Sequence, residues 1–195
     1  MSSELLKNKV FNSLINRFHK ENKSEILDIV LFGSSVRGKR KPNDVDLLLI
    51  FREKESIDTA YELRKLLKVL DYDFQIITKT YDKLFDKHFV AREAFLGEGY
   101  SLIKKMNISE GLGYTTKTIF KYSLKGFTQS RRMQLQYALY GRDKKSGIVN
   151  EFGLVKFADA VFLCPTENAD KLKEFLEYWK INFESFPLLI PSRQS

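Results

Sequence analysis

Leu31-Phe32-Gly33-Ser34-Ser35-Val36-Arg37-Gly38 and, after Lys39-Arg40-Lys41-Pro42, the run Asn43-Asp44-Val45-Asp46-Leu47 decide how the first half of the chain folds. Ile26 to Phe32 is a short apolar run that stops at a glycine, which suits a buried strand. Val45 to Phe51 is a second run of the same kind. Where the first strand meets Gly33-Ser34, the missing Cβ lets backbone N–H groups come close to a phosphate, and the Ser34 hydroxyl adds a donor. A helix starting at Ser34 or Ser35 would add its N-terminal dipole in favour of an anion. Asp44 and Asp46 stand one residue apart on a strand, so both side chains point to one face. Two carboxylates so close repel unless a cation lies between them, and hard oxygen ligands suit Mg²⁺ or Mn²⁺ shared with substrate phosphates. Arg37, Lys39, Arg40 and Lys41 would set positive charge where a triphosphate needs it.

Working outward, residues 4–20 carry Leu6, Val10, Leu14 and Phe18 at helical spacing. Ser56 is placed to cap a helix whose Ala60, Leu63, Leu67 and Leu70 share one face. Tyr72 to Thr78 alternates like a third strand. If it lies beside the second strand, Asp73 joins Asp44 and Asp46 as ligand of a second metal and as base for an attacking hydroxyl. Asp71 would share that face and competes for the role, although it sits at the strand's start. Residues 80–96 look helical, and Tyr100-Ser101-Leu102-Ile103 closes the unit.

The pattern Gly33-Ser34-x9-Asp44-Val45-Asp46 resembles the signature of the DNA polymerase beta-like nucleotidyltransferase superfamily. The fuller Gly33-Ser34-Ser35-Val36-Arg37-Gly38 with Asp44-Val45-Asp46-Leu47 is similar to its minimal branch, common in archaea and bacteria. Arg92-Glu93-Ala94-Phe95-Leu96-Gly97-Glu98-Gly99-Tyr100 also resembles the way those minimal domains end, so the likeness spans residues 4–104. It implies an α+β fold with a mixed sheet backed by helices. It further implies two Mg²⁺ ions and transfer of a nucleoside monophosphate from a nucleoside triphosphate, ATP first among them, with loss of pyrophosphate. Asn43 stands where the family often has serine, and an asparagine can make similar local hydrogen bonds.

A chain of 195 residues holds one good-sized domain or two small ones. Residues 104–116 lack periodicity and contain Asn107, Ser109, Gly111 and Gly113, so a catalytic domain is expected over 1–105 and a small α/β domain over 106–195. In the latter the pattern predicts a helix around 128–140, a turn at Gly141 and a short helix near 146–152. A strand at 160–164 and a helix from Thr166 follow. A last strand, Phe183 to Ile190, is interrupted by Pro187 and therefore expected at an edge. The domain is expected to bind the acceptor or to dimerise.

The net charge of +8 favours a polyanionic partner. Most of that surplus lies within residues 117–145, where eight basic residues face one acid, with Phe120, Tyr122, Phe127, Tyr137 and Tyr140 interleaved. Such a mixture grips phosphates and stacks bases, or is a solvated basic face over an aromatic core. Lys125, Arg131 and Arg132 are the acceptor-binding candidates, with RNA as the favoured acceptor. A small molecule such as an aminoglycoside, or a tyrosine of a protein partner as in toxin–antitoxin pairs of the resembling branch, is the alternative. A non-catalytic binding module on the same fold is the competing class.

Cys164 is the single cysteine, which excludes an intramolecular disulfide and a cysteine-rich zinc site; its apolar surroundings predict a buried structural thiol. His19 and His88 lack matched ligands in the sequence. No apolar stretch approaches the roughly 18 residues that cross a bilayer, so no membrane partner is expected. Met1-Ser2-Ser3-Glu4 lacks the layout of a signal peptide, and a cytoplasmic location is expected.

Overall fold

A computed structural model describes residues 4–37, 44–142 and 146–194. In chain order the elements are α1 (Glu4–Lys7), α2 (Lys9–Glu21), β1 (Ile26–Phe32), β2 (Asp44–Phe51), α3 (Ile57–Leu67), β3 (Asp73–Thr80), α4 (Arg92–Glu98), β4 (Tyr100–Ser101), β5 (Met106–Asn107) and α5 (Ile108–Gly111). They continue with β6 (Tyr114–Ser123), α6 (Gln129–Tyr140), α7 (Ile148–Glu151), β7 (Val155–Ala158), β8 (Val161–Pro165), α8 (Ala169–Tyr178) and β9 (Asn182–Pro191). The fold is mixed α+β, with a five-stranded sheet in the order β3-β2-β1-β4-β5 and a four-stranded sheet in the order β7-β8-β6-β9.

In the first sheet β1 runs antiparallel to β2 and β4, while β2 and β3 run parallel. The parallel pair needs a crossover, which α3 supplies. Ser56 caps α3, its hydroxyl accepting the Thr59 N–H at 3.1 Å. Leu63 and Leu67 of α3 pack with Phe11, Ile15 and Phe18 of α2 against Ile29, Leu31, Val45, Leu47, Leu49 and Phe51. The opposite side of the same strands, Val30, Phe32, Leu48 and Ile50, is covered by Leu84, Phe89 and Phe95. Both faces of β1 and β2 are thus buried, which is why they read as mostly apolar runs; Asp28 within β1 is buried too and accepts the Ser101 hydroxyl.

Two expectations are corrected here. The first helix is broken at Asn8, whose side chain accepts the N–H groups of Val10 and Phe11 and starts α2 afresh. The helix expected over 80–96 is a 3-10 turn at Asp82–Phe85 followed by α4, which begins only at Arg92. Asp86 is the cause: its side chain accepts the His88 N–H at 2.8 Å, a local bond that competes with helix continuation.

The first sheet extends through Asn107 and the second begins at Tyr114. Strands β6 and β7 were not anticipated, and β6 is central, paired along its whole length with β9 and over Lys117–Lys121 with β8. Alternation places Thr118, Phe120 and Tyr122 toward α6 and α8, with Lys117, Ile119 and Lys121 on the other face; the interleaved lysines masked the strand pattern. Strand β9 with its Pro187 lies at an edge, as a missing N–H requires. No helix among the described residues is long and apolar enough to cross a membrane.

Candidate active site

Strand β1 leads into Gly33, which adopts φ +77, a region L side chains avoid. Gly33–Ser35 forms a 3-10 turn in which the N–H groups of Val36 and Arg37 both donate to the Gly33 carbonyl, at 3.0 and 3.3 Å. A Cβ on Gly33 would lie 2.5 Å from Asp46 Oδ2, so the turn is pressed against the carboxylate. Ser35 is buried and its hydroxyl donates to the Asp44 carbonyl at 3.5 Å, while Ser34 is half-buried. Gly33→Ala therefore carries two independent penalties: backbone strain of roughly 1–2 kcal/mol and displacement of Asp46. We expect a melting temperature lower by several degrees and triphosphate binding weakened together. Calorimetry on parent and variant checks both; an unchanged pair of values would refute this account of the turn.

Parallel pairing of β2 with β3 sets Asp44 opposite Asp73 and Asp46 opposite Gln75. All four side chains consequently lie on one face. Asp44 and Asp46 are half-buried, Asp73 exposed, and Gln75 donates its amide to Asp44 Oδ2 at 2.8 Å. Burial pushes the Asp46 carboxyl above its ordinary value, the Asp44 charge pushes it further, and Arg37 draws it back. Asp71 lies in the bend before β3, outside that pairing. Among the described residues no three His, Cys, Asp or Glu side chains converge as a complete metal cage. Two neighbouring carboxylates nevertheless fit Mg²⁺, which takes one or two protein oxygens and completes its octahedron with water and phosphate.

Residues 12–98 match the family model of polymerase beta, nucleotidyltransferase. Over those residues, just under half of the chain, the sequence is similar to nucleotidyltransferases. No curated protein matches the chain. Among solved structures, a mutant of the toxin–antitoxin pair MntA-HpeT is 22% identical, with a TM-score of 0.38 over 47% of this chain and 71% of that one. A toxin–antitoxin structure with AMP-PNP is 24% identical, with a TM-score of 0.37 over 47% and 71%. The tri-AMPylated Shewanella oneidensis HEPN toxin in complex with MNT antitoxin is 22% identical, with a TM-score of 0.34 over 47% and 67%.

Around the matched segment, the other expected residues have more mixed placements. Lys39, Arg40, Lys41 and Asn43 lie outside the described residues. Arg37, expected at the triphosphate, instead donates from Nη1 to Glu98 Oε2 at 2.7 Å and from Nε to both oxygens of Asp170 at 3.1 Å. Burial raises the Glu98 carboxyl, and the Arg37 charge pulls it back. Arg131 donates to the Trp179 carbonyl at 2.7 Å and lies 4.1 Å from the Phe127 ring centre. Arg132 donates to the carbonyls of Phe127 and Leu124 at 3.2 and 3.0 Å. Both guanidiniums thereby hold the 124–127 loop and the end of α8 as well as adding charge. Lys125 is exposed. Cys164 is buried and its thiol is pushed up to about 12 by that burial, which suits a structural role. His88 pairs with Asp86 at the surface.

Sequence reading assigned no role to Gln75, Glu98 or Asp170. Gln75 was within reach, because it shares the period-2 face of Asp73. Asp170 lies 133 residues from Arg37, and no local pattern reports such a pair.

Proposed function

We propose that the chain is a metal-dependent nucleotidyltransferase that moves a nucleoside monophosphate from a triphosphate, ATP in the first place, to an acceptor hydroxyl and releases pyrophosphate. The observation that carries this reading is the Gly33 turn pressed on Asp46 beside Asp44, with Asp73 in register on the next strand. Gly33, Ser34 and Ser35 offer backbone N–H groups and hydroxyls to the phosphates, and Lys41 adds charge. Asp44 and Asp46 would hold Mg²⁺ or Mn²⁺, with Asp73 for a second ion, supplying charge neutralisation at the reacting and leaving phosphates. Asp73 takes the proton of the acceptor hydroxyl, whose oxygen bonds to the α-phosphorus as the bond to the bridging oxygen breaks and pyrophosphate leaves with that electron pair.

RNA is the acceptor we propose. Supporting it are the exposed Lys121 and Lys125, together with Arg142, which lies 5.7 Å from the ring centre of the exposed Tyr137. Incubation with labelled ATP, Mg²⁺ and total cellular RNA, followed by separation of RNA from protein, tests it. Label should appear in RNA with matching pyrophosphate release. Label in the protein fraction would replace RNA by a protein acceptor, and no pyrophosphate under any condition would refute transferase activity.

A further inference from the structure

Arg37 follows the Gly33–Ser35 turn directly and is held from two sides. Glu98, the last residue of α4, takes Nη1 at 2.7 Å. Asp170, in the first turn of α8, takes Nε with both carboxylate oxygens at 3.1 Å, and its own backbone N–H reaches the Arg37 carbonyl at 3.4 Å. The side chains are 27% (Arg37), 14% (Glu98) and 13% (Asp170) exposed, so the charges are largely shielded from water. Lys173 stands 3.7 Å from Asp170 and completes the charge balance of the group.

The turn needs such support. A three-residue 3-10 turn has few internal bonds and poor hydrogen-bond geometry. On its entry side it is anchored by β1, paired through Phe32 with Asp46. On its exit side Val36 is buried in the core, and the next residue is gripped by side chain and main chain together. The bidentate fork of arginine fixes direction as well as distance, which a lysine would not.

We propose that Asp170 and Glu98 are positioning residues of the nucleotide site, acting through Arg37, so that α8 of the second sheet's unit helps to set the turn that receives the phosphates. This rests on the nucleotidyltransferase reading. Neither carboxylate touches the substrate. Removing one leaves the other arginine contacts but frees the exit of the turn.

The test uses the full chain and ATP with Mg²⁺. Asp170→Asn and Glu98→Gln, which keep size and lose charge, should each weaken ATP–Mg²⁺ binding by roughly tenfold, with KM rising more than kcat falls. In the background of Arg37→Ala, Asp170→Asn should have no further effect on binding, because the two act as a unit. A merely structural role would lower the melting temperature, leave affinity well below that temperature unchanged and give additive effects. Hydrogen exchange at the Val36 and Arg37 amides gives a readout independent of nucleotide. It should speed up in Asp170→Asn whether or not ATP binds. Unchanged exchange overturns the proposal, as does unchanged ATP affinity. Tighter ATP binding in Asp170→Asn overturns it as well, since it would mean that the carboxylates withhold Arg37 from the triphosphate. A parent that binds no ATP–Mg²⁺ while exchange responds as expected would instead count against the nucleotidyltransferase reading alone.

Discussion

Replacing Asp46 with asparagine is expected to abolish Mg²⁺-dependent triphosphate binding and to raise the melting temperature of the metal-free protein at neutral pH. Both effects follow from one cause. Asp46 is half-buried beside Asp44, and burial followed by that neighbouring charge lifts its carboxyl above the ordinary value of 3.8. Between the ordinary value and the folded one, the native state binds more protons than the unfolded state, so stability falls as pH rises through that window. Above the window the ionised pair opposes folding. Asparagine removes that cost, so the gain in melting temperature should shrink as pH drops toward the ordinary carboxylate range. In the parent, protons and Mg²⁺ compete for the same oxygens, and metal binding should weaken over the same interval. Asp44→Asn should likewise abolish the Mg²⁺-dependent binding. Thermal unfolding across pH together with calorimetric titration of ATP–Mg²⁺ decides the matter; a variant that binds like the parent removes the site assignment.

Asp73→Asn is expected to leave triphosphate affinity nearly intact and to slow turnover by roughly 10²–10⁴-fold, the usual scale for a positioned base. Register is the reason for choosing it. Asp73 lies opposite Asp44 on a parallel strand, while Asp71 sits in the bend outside the pairing. Asp71→Asn should therefore change turnover little. Single-turnover measurement separates the chemical step from binding and release. If Asp71→Asn proved the more damaging of the two, the proton acceptor would have been assigned to the wrong carboxylate.

How far the fold was legible depended on whether its signals were local. Strand β1 was read to the residue, and β2 and β3 to within two residues, because burial on both faces or regular alternation leaves a direct trace in the sequence. The Ser56 cap is a chemical mark of the same local kind. Strand β6 was missed because its outward positions carry lysines that read as a polyanion-binding mixture, and short β7, exposed at every residue, gave no alternation to find. For the proposed site, Gly33, Asp44 and Asp46 stood out by a spacing that resembles the superfamily signature. Their mutual contact, with Asp46 filling the place of a Cβ at Gly33, arises only when β1 and β2 pair. The fate of Arg37 was unreadable for another reason. An arginine after such a turn looks the same whether its charge meets a phosphate or a pair of distant carboxylates. The same limit applies to Arg131 and Arg132, whose donors turn to backbone carbonyls that no sequence pattern announces.

The second sheet's unit starts and finishes at one spot: Tyr114 pairs with Pro191, and the Ser192 N–H donates to the Gly113 carbonyl at 2.9 Å. Segments whose two ends emerge side by side are the ones that tolerate grafting between scaffolds and re-cutting of the chain order. Residues 113–192 therefore close on themselves as an inserted segment does, yet Asp170 ties the segment to Arg37 outside it. A replacement segment would have to bring its own carboxylate to the place of Asp170, or the exit of the Gly33 turn would lose that hold.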